Sequence, residues 1–146
     1  MGEGRQILIL RKGGIVEKGG YFQPEHREFF LFPTFAHEQV KGLKPAVAST
    51  LEELEKNRKQ TDTIEISLLV KITETLWITD EKKLSDISPF HFWADETIRS
   101  RFQFGQEKGI FAMVARVFRL VKPHTIPILE KYSGCKSWVE LDETIS

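Results

Sequence analysis

Apolar and polar residues alternate most regularly over Ile64-Glu65-Ile66-Ser67-Leu68-Leu69-Val70-Lys71-Ile72. Ile64, Ile66, Leu68, Val70 and Ile72 recur at period two, which predicts a half-buried strand with all five side chains on one core face, running on toward Trp77. Ile110 to Leu120 reads as a second long strand sharing that sheet, apolar on both faces at first, with Arg116 and Arg119 emerging late. Gln6 to Leu10, ending in Arg11-Lys12, is a short strand, and Arg27 to Phe32, closed by Pro33, is another. Lys136 to Leu141 is a last one after the Ser133-Gly134 turn.

Helical signals fall between these runs. Thr34 is placed to cap Phe35 to Lys41, with Gly42 to end it. Ser49 with Glu52, and Thr50 with Glu53, match the capping-box spacing ahead of a helix closing on Lys56-Asn57-Arg58-Lys59, where cations suit the dipole. Its apolar face (Val47, Leu51, Leu54) is thin, so it belongs on the surface. Asp80 to Ile87 is a short helix or turn, Ser88-Pro89 and Asp95 open a helix over Glu96 to Phe102, and Gly105 to Gly109 is a turn. Such an order does not alternate as βαβ units do. It predicts a single α+β domain over 1–146: a mostly antiparallel, curled sheet or small barrel, with short helices packed at one side.

Composition narrows the class. Of 146 residues, 40% are hydrophobic and 29% charged, as in ordinary globular domains, and a chain of this length needs no disulfide or metal to fold. A lone cysteine, Cys135, fits a reducing compartment, and no stretch reads as a signal peptide or membrane span, so the expected location is cytoplasmic. Basic and acidic residues balance at 21 each, which removes the simplest argument for a nucleic-acid binder while leaving room for a local basic patch.

Three blocks are familiar together: Ile7-Leu8-Ile9-Leu10-Arg11-Lys12-Gly13-Gly14-Ile15 running to Glu25-His26-Arg27-Glu28-Phe29-Phe30-Leu31-Phe32-Pro33-Thr34, then Ala112 to Leu120, then Gly134-Cys135-Lys136-Ser137-Trp138-Val139-Glu140-Leu141. They resemble a prokaryotic family of domains of unknown function, DUF1802. Some members of that family are joined to Mrr-type restriction endonuclease domains, so the resemblance implies a place in DNA restriction or defence. A weaker likeness, in strand order and in Glu25-His26-Arg27, is to PUA-like barrels such as ASCH and EVE domains, although the accompanying Gly-x-Lys is missing at the expected spacing. That likeness implies a cleft for RNA or modified bases.

Several groups are candidates for contact with an anion. Arg11, Lys12 and Lys18 flank or lie in a loop holding Gly13-Gly14 and Gly19-Gly20, where glycines allow close approach to phosphate; the bland alternative is a solvated hairpin loop. His26 and Arg27 stand at the mouth of the next strand, or form a cross-strand ion pair there. Trp93, Arg99 and Arg101 mix an aromatic with cations as base-stacking platforms do, while Phe90, Phe92 and Phe102 read as core. Arg116 and Arg119, three apart on a strand, point to opposite faces, so at most one lines a given cleft.

Covalent and metal chemistry find little support. Cys135 has no base placed beside it by sequence, the four histidines show no zinc spacing, and Glu65-Ile66-Ser67 lacks the lysine of an Mrr-type nuclease strand. No cofactor is expected. The leading expectation is a non-catalytic, nucleic-acid-associated domain recognising DNA or modified bases for a restriction or defence system, with DNA, RNA or a restriction endonuclease as partner and no membrane. A protein-interaction or small-ligand regulatory module is the alternative, and an enzyme using Glu25, His26 and Arg27 is the third.

Overall fold

The computed structural model describes residues 1, 4, 6–12, 26–32, 42–56, 62–132, 140–142 and 145. Four strands form an open antiparallel sheet: β1 (Leu8–Arg11), β2 (Glu28–Phe30), β3 (Thr63–Ile78) and β4 (Ile110–Pro127), in the spatial order β1-β4-β3-β2. Three helices accompany them, α1 (Pro45–Lys56), α2 (Lys83–Ile87) and α3 (Asp95–Gln103). The expected α+β class and antiparallel sheet are observed. Among the described residues the sheet is open, because β1 and β2 occupy opposite edges, so the curled-sheet alternative holds over the barrel.

β3 and β4 are a long ribbon of 16 and 18 residues, and the shorter strands pair on its two sides. Leu8 stands opposite Val114 and Arg11 opposite Phe111, whereas Glu28 stands opposite Lys71 and Phe30 opposite Leu69.

Two irregularities in the ribbon decide which side chains are buried together. Between Ile72, opposite Ala115, and Glu74, opposite Val114, β3 carries an extra residue, Thr73, whose hydroxyl donates to the Val114 carbonyl at 3.2 Å. An extra residue turns everything after it to the other side of the sheet. Accordingly Val70 and Ile72 bury with Met113 and Ala115 on one face, while Ile78 buries with Leu8, Leu10, Ile110 and Ala112 on the other. A second irregularity leaves Leu120 to Pro123 of β4 opposite Ser67, since Ile66 pairs with His124 and Leu68 with Arg119. Pro123 lacks an amide donor and is tolerated there because the ladder is already interrupted. Ile66 lies beyond this break and buries in a third cluster, with Ile126 and Tyr132. The expected single core face for Ile64 to Ile72 is therefore divided. Ile66, Val70 and Ile72 are buried but belong to two clusters, and Ile64 and Leu68 are only half-buried.

α2 and α3 cover the face carrying Leu8 and Leu10. Leu84, Ile98 and Phe102 complete that core, with Phe102 2% exposed as expected for a core residue. Phe90, also expected in the core, is 45% exposed: it ends a short 3₁₀ turn (Ser88–Phe90) that directs it outward, while His91 is buried instead. Ser88 donates to the Asp95 carboxylate at 2.7 Å, tying this turn to the start of α3.

The helix of the paired capping boxes starts earlier than expected. Pro45 opens α1, and Ser49 and Thr50 lie inside it, their hydroxyls donating to the carbonyls of Pro45 and Ala46 four residues back. Proline at a first helical position loses no hydrogen bond, which explains the earlier start. The expected helix over 35–41 and nearly all of the expected strand over 136–141 lie outside the described residues; Glu140 and Leu141, which are described, are not in a strand.

Candidate nucleic-acid interface

The expected anion-binding residues do not form one cluster: Trp93 and Arg101 meet beside α3, but Arg11 and Arg27 are apart. Arg11 ends β1 and Arg27 precedes β2, and these strands are separated by the full width of the ribbon, roughly 14 Å at ~4.8 Å per strand spacing. The pairing of β1 with β2 that would have joined them does not occur. His26 and Arg27 are exposed, and the Arg27 carbonyl accepts from the Ile72 amide at 2.7 Å. Lys18 lies outside the described residues.

Lys12 has a different task. Its ammonium donates to the carbonyls of Phe102 (2.9 Å), Glu107 (2.6 Å) and Gly109 (2.8 Å) and lies 5.8 Å from the centre of the Trp77 ring. An ammonium has three protons, so all are used on the protein's own backbone, one at the last turn of α3 and two in the turn that follows it. Burial pushes Lys12 below the usual lysine range, opposed by the Glu107 carboxylate. Lys12 ties β1 to the turn after α3, and a phosphate would have to displace those bonds.

α3 also uses its arginines internally. Arg99 pairs with Glu81 at 3.2 Å, and the Arg101 guanidinium lies 4.1 Å from the centre of the Trp93 ring, a cation–π contact on the face that a base would need. Burial lowers the pKa of Arg101, which nonetheless stays charged. Trp93 is held from below: Leu43 bridges to it, the Lys44 amide donates to Phe92 and the Ala94 amide to Gly42, both at 2.9 Å. The Lys44 ammonium donates to the carbonyls of Ser88 and His91.

His91, 1% exposed, sits at the centre of this knot. The Trp93 amide donates to its Nδ1 at 3.1 Å, which places the ring proton on Nε2, and Nε2 has no hydrogen-bond partner. Burial and the neighbouring Lys44 charge push its pKa below the ordinary histidine value, against the Asp95 carboxylate. Sealed from solvent, this imidazole is unsuited to exchanging protons with a solvent-borne substrate. Among the described residues, no group of three His, Cys, Asp or Glu side chains could hold a metal ion, and no helix is long and apolar enough to cross a membrane.

A different surface emerges from the register. On the face that α2 and α3 cover at one end, the rows continue outward as Glu74–Val114, then Glu28–Lys71–Arg116, then Phe30–Leu69–Phe118. Arg116 is exposed and Phe118 is 46% exposed. β1 stops pairing at Val114, with one further bond from the Ala115 amide to the Ile7 carbonyl, so from Arg116 onward β4 has no strand on that side among the described residues. Arg119 points to the opposite face, as its spacing from Arg116 requires, and Val121 at the second irregularity is fully exposed.

β4 reads Ile-Phe-Ala-Met-Val-Ala-Arg-Val-Phe-Arg-Leu-Val-Lys-Pro-His-Thr-Ile-Pro, with Arg116, Arg119 and Lys122 and not one carboxylate. The carboxylates directly opposite β4 by register, Glu74 (opposite Val114) and Glu65 (opposite Thr125), belong to β3; Glu28 of β2 lies 3.8 Å from the Lys71 ammonium. Sequence reasoning passed over this segment because it ended the strand at Leu120 and weighed only the facing of the two arginines. The legible signal was the lack of any acidic residue over 18 positions in a chain whose charges balance overall.

No curated protein and no solved structure matches this chain. The family profile of a domain of unknown function spans residues 1–146, and the chain belongs to that family, DUF1802.

Proposed function

We propose that this is a non-catalytic, nucleic-acid-associated domain whose contact surface is the outer half of β4. The observation that carries the reading is charge segregation. In a chain of zero net charge, Arg116, Arg119 and Lys122 share a strand free of carboxylates, next to an open sheet edge. Such a strand supplies the phosphate neutralisation on which nucleic-acid affinity rests. It replaces the cluster of Arg11, Lys12 and Arg27, which the fold disperses. A role in recognising DNA or modified bases for restriction or defence is part of the proposal, and cleavage would then fall to a nuclease partner.

The rival reading, a protein-interaction module, draws on exposed apolar side chains: Phe104 at 73% and fully exposed Val121. Salt titration of binding to labelled DNA and RNA oligonucleotides separates the two. The nucleic-acid reading expects affinity that falls log-linearly with salt. It also expects replacement of Arg116, Arg119 and Lys122 by alanine to flatten that slope, while alanines at exposed Lys82 and Lys83 leave it unchanged. Absence of binding to every oligonucleotide supports the protein-partner reading instead.

A further inference from the structure

The outer half of β4 also carries a side chain that phosphate binding alone does not explain. Phe118 exposes nearly half its surface on the outer half of β4, past the point where β1 stops pairing, although an aromatic ring ordinarily seeks cover. It shares its face with Arg116, two residues and about 6.6 Å away at ~3.3 Å per residue, and Lys122 follows on the same strand. Neither Arg116 nor Lys122 has an ion-pair or hydrogen-bond partner among the described residues. Cations and a bulge on a free edge also keep it from pairing with another strand. That account covers Arg116, Lys122 and Pro123, and it leaves the exposed ring between them without a reason.

We propose that this edge binds a single-stranded nucleic acid, with one base stacked on Phe118 and the flanking phosphates on Arg116 and Lys122. The inference rests on the nucleic-acid reading above and narrows it to a ligand class. A single strand is favoured over a duplex on two grounds. An aromatic ring stacks only on a base already free of its neighbours, and exposed aromatics on sheet surfaces bind unpaired bases in this way. Duplex reading commonly uses a helix in the major groove, and both arginines of α3 are engaged, Arg99 by Glu81 and Arg101 by Trp93. Charge is arranged to suit: the nearby carboxylates Glu28, Glu65 and Glu74 all lie on β2 and β3, whereas β4 itself carries only cations.

The test is fluorescence anisotropy with a short labelled oligothymidylate, the corresponding RNA, and a duplex of equal length, each across a salt series. The full chain should prefer the single strands. Phe118→Ala should weaken that binding about tenfold with an unchanged salt slope, since stacking is not ionic. Arg116→Ala and Lys122→Ala should each reduce the slope by roughly 0.7. Phe118→Leu keeps an apolar side chain, so it guards against misfolding and should lose affinity as alanine does, while Phe118→Trp should retain it. Binding by the full chain that is indifferent to Phe118→Leu, or that favours the duplex, overturns this inference and leaves the broader reading standing. If neither single strand nor duplex binds, both fall together.

Discussion

The indole of Trp77 lies directly over Gly109: a β-carbon at that glycine would come within 2.2 Å of the indole Cζ2. The contact joins the end of β3 to the residue before β4, and it continues into Phe111, whose ring centre is 4.5 Å from that of Trp77. Gly109→Ala should therefore destabilise the fold by about 1–3 kcal/mol through overpacking. Trp77→Val in the same chain should recover only the clash part of that loss, because the positive φ of Gly109 (157°) disfavours a side chain even once the indole is gone. Urea denaturation of the two single variants and the double variant measures the coupling, and additive effects would show that the glycine is needed for another reason.

Lys12 is predicted to be a stability residue and to have little part in ligand binding. Lys12→Met preserves most of the stem but removes three donors from the carbonyls of Phe102, Glu107 and Gly109. A loss of about 1–3 kcal/mol is expected by chemical denaturation, with the salt dependence of oligonucleotide binding unchanged. A lowered salt slope in this variant would return Lys12 to the binding surface.

His91 should make the fold sensitive to mild acid. Its folded pKa is lowered, so the native state binds fewer protons than the unfolded chain, whose histidines titrate near 6.5. The contribution of His91 is then complete above about pH 6.5 and is lost progressively as pH falls below it. His91→Asn keeps a short acceptor for the Trp93 amide while removing the titration. The difference in denaturation midpoint between wild type and this variant should shift against wild type from pH 7.5 to pH 5.5, roughly one unit either side of that histidine value. A constant difference would mean that the folded and unfolded chains bind the His91 proton equally well, against the lowering that its burial implies.

Val70 and Val121 provide a matched pair on the ribbon. Val70 is completely buried between Phe29 and Val117 by register, whereas Val121 is fully exposed at the interrupted ladder. Val70→Asp buries a carboxylate without a partner and should abolish cooperative folding, while Val121→Asp should change the melting temperature little. Circular dichroism melts decide the comparison, and a native-like melt for Val70→Asp would refute the strand register.

The long strands were legible because burial on one side writes period two into the sequence, as in Ile64 to Ile72. What that pattern could not show was Thr73. A polar residue between Ile72 and Glu74 looks like ordinary alternation, yet its insertion sends Ile78 to the other face. The wrong neighbours for Arg11 and Arg27 had a related cause. The glycine-rich stretch between the first two strands reads as a hairpin, which makes them neighbours, whereas the sheet order places β4 and β3 between them. His91 escaped notice as core because a histidine gives no hydrophobic signal, and its burial depends on Lys44 and Trp93 arriving from separate segments.

The placement of β1 has a consequence in time. Leu8 and Leu10 are synthesised about a hundred residues ahead of their partners, Val114 and Ala112. At roughly 5–20 residues per second, the apolar run from Ile7 to Leu10 waits on the order of ten seconds for the strand that will shelter it. β3 and β4, joined through α2 and α3, pair over a far shorter stretch of chain and are expected to fold ahead of it. Closure of the first core therefore waits on β4, and until then the apolar run from Ile7 to Leu10 stays without its partner strand.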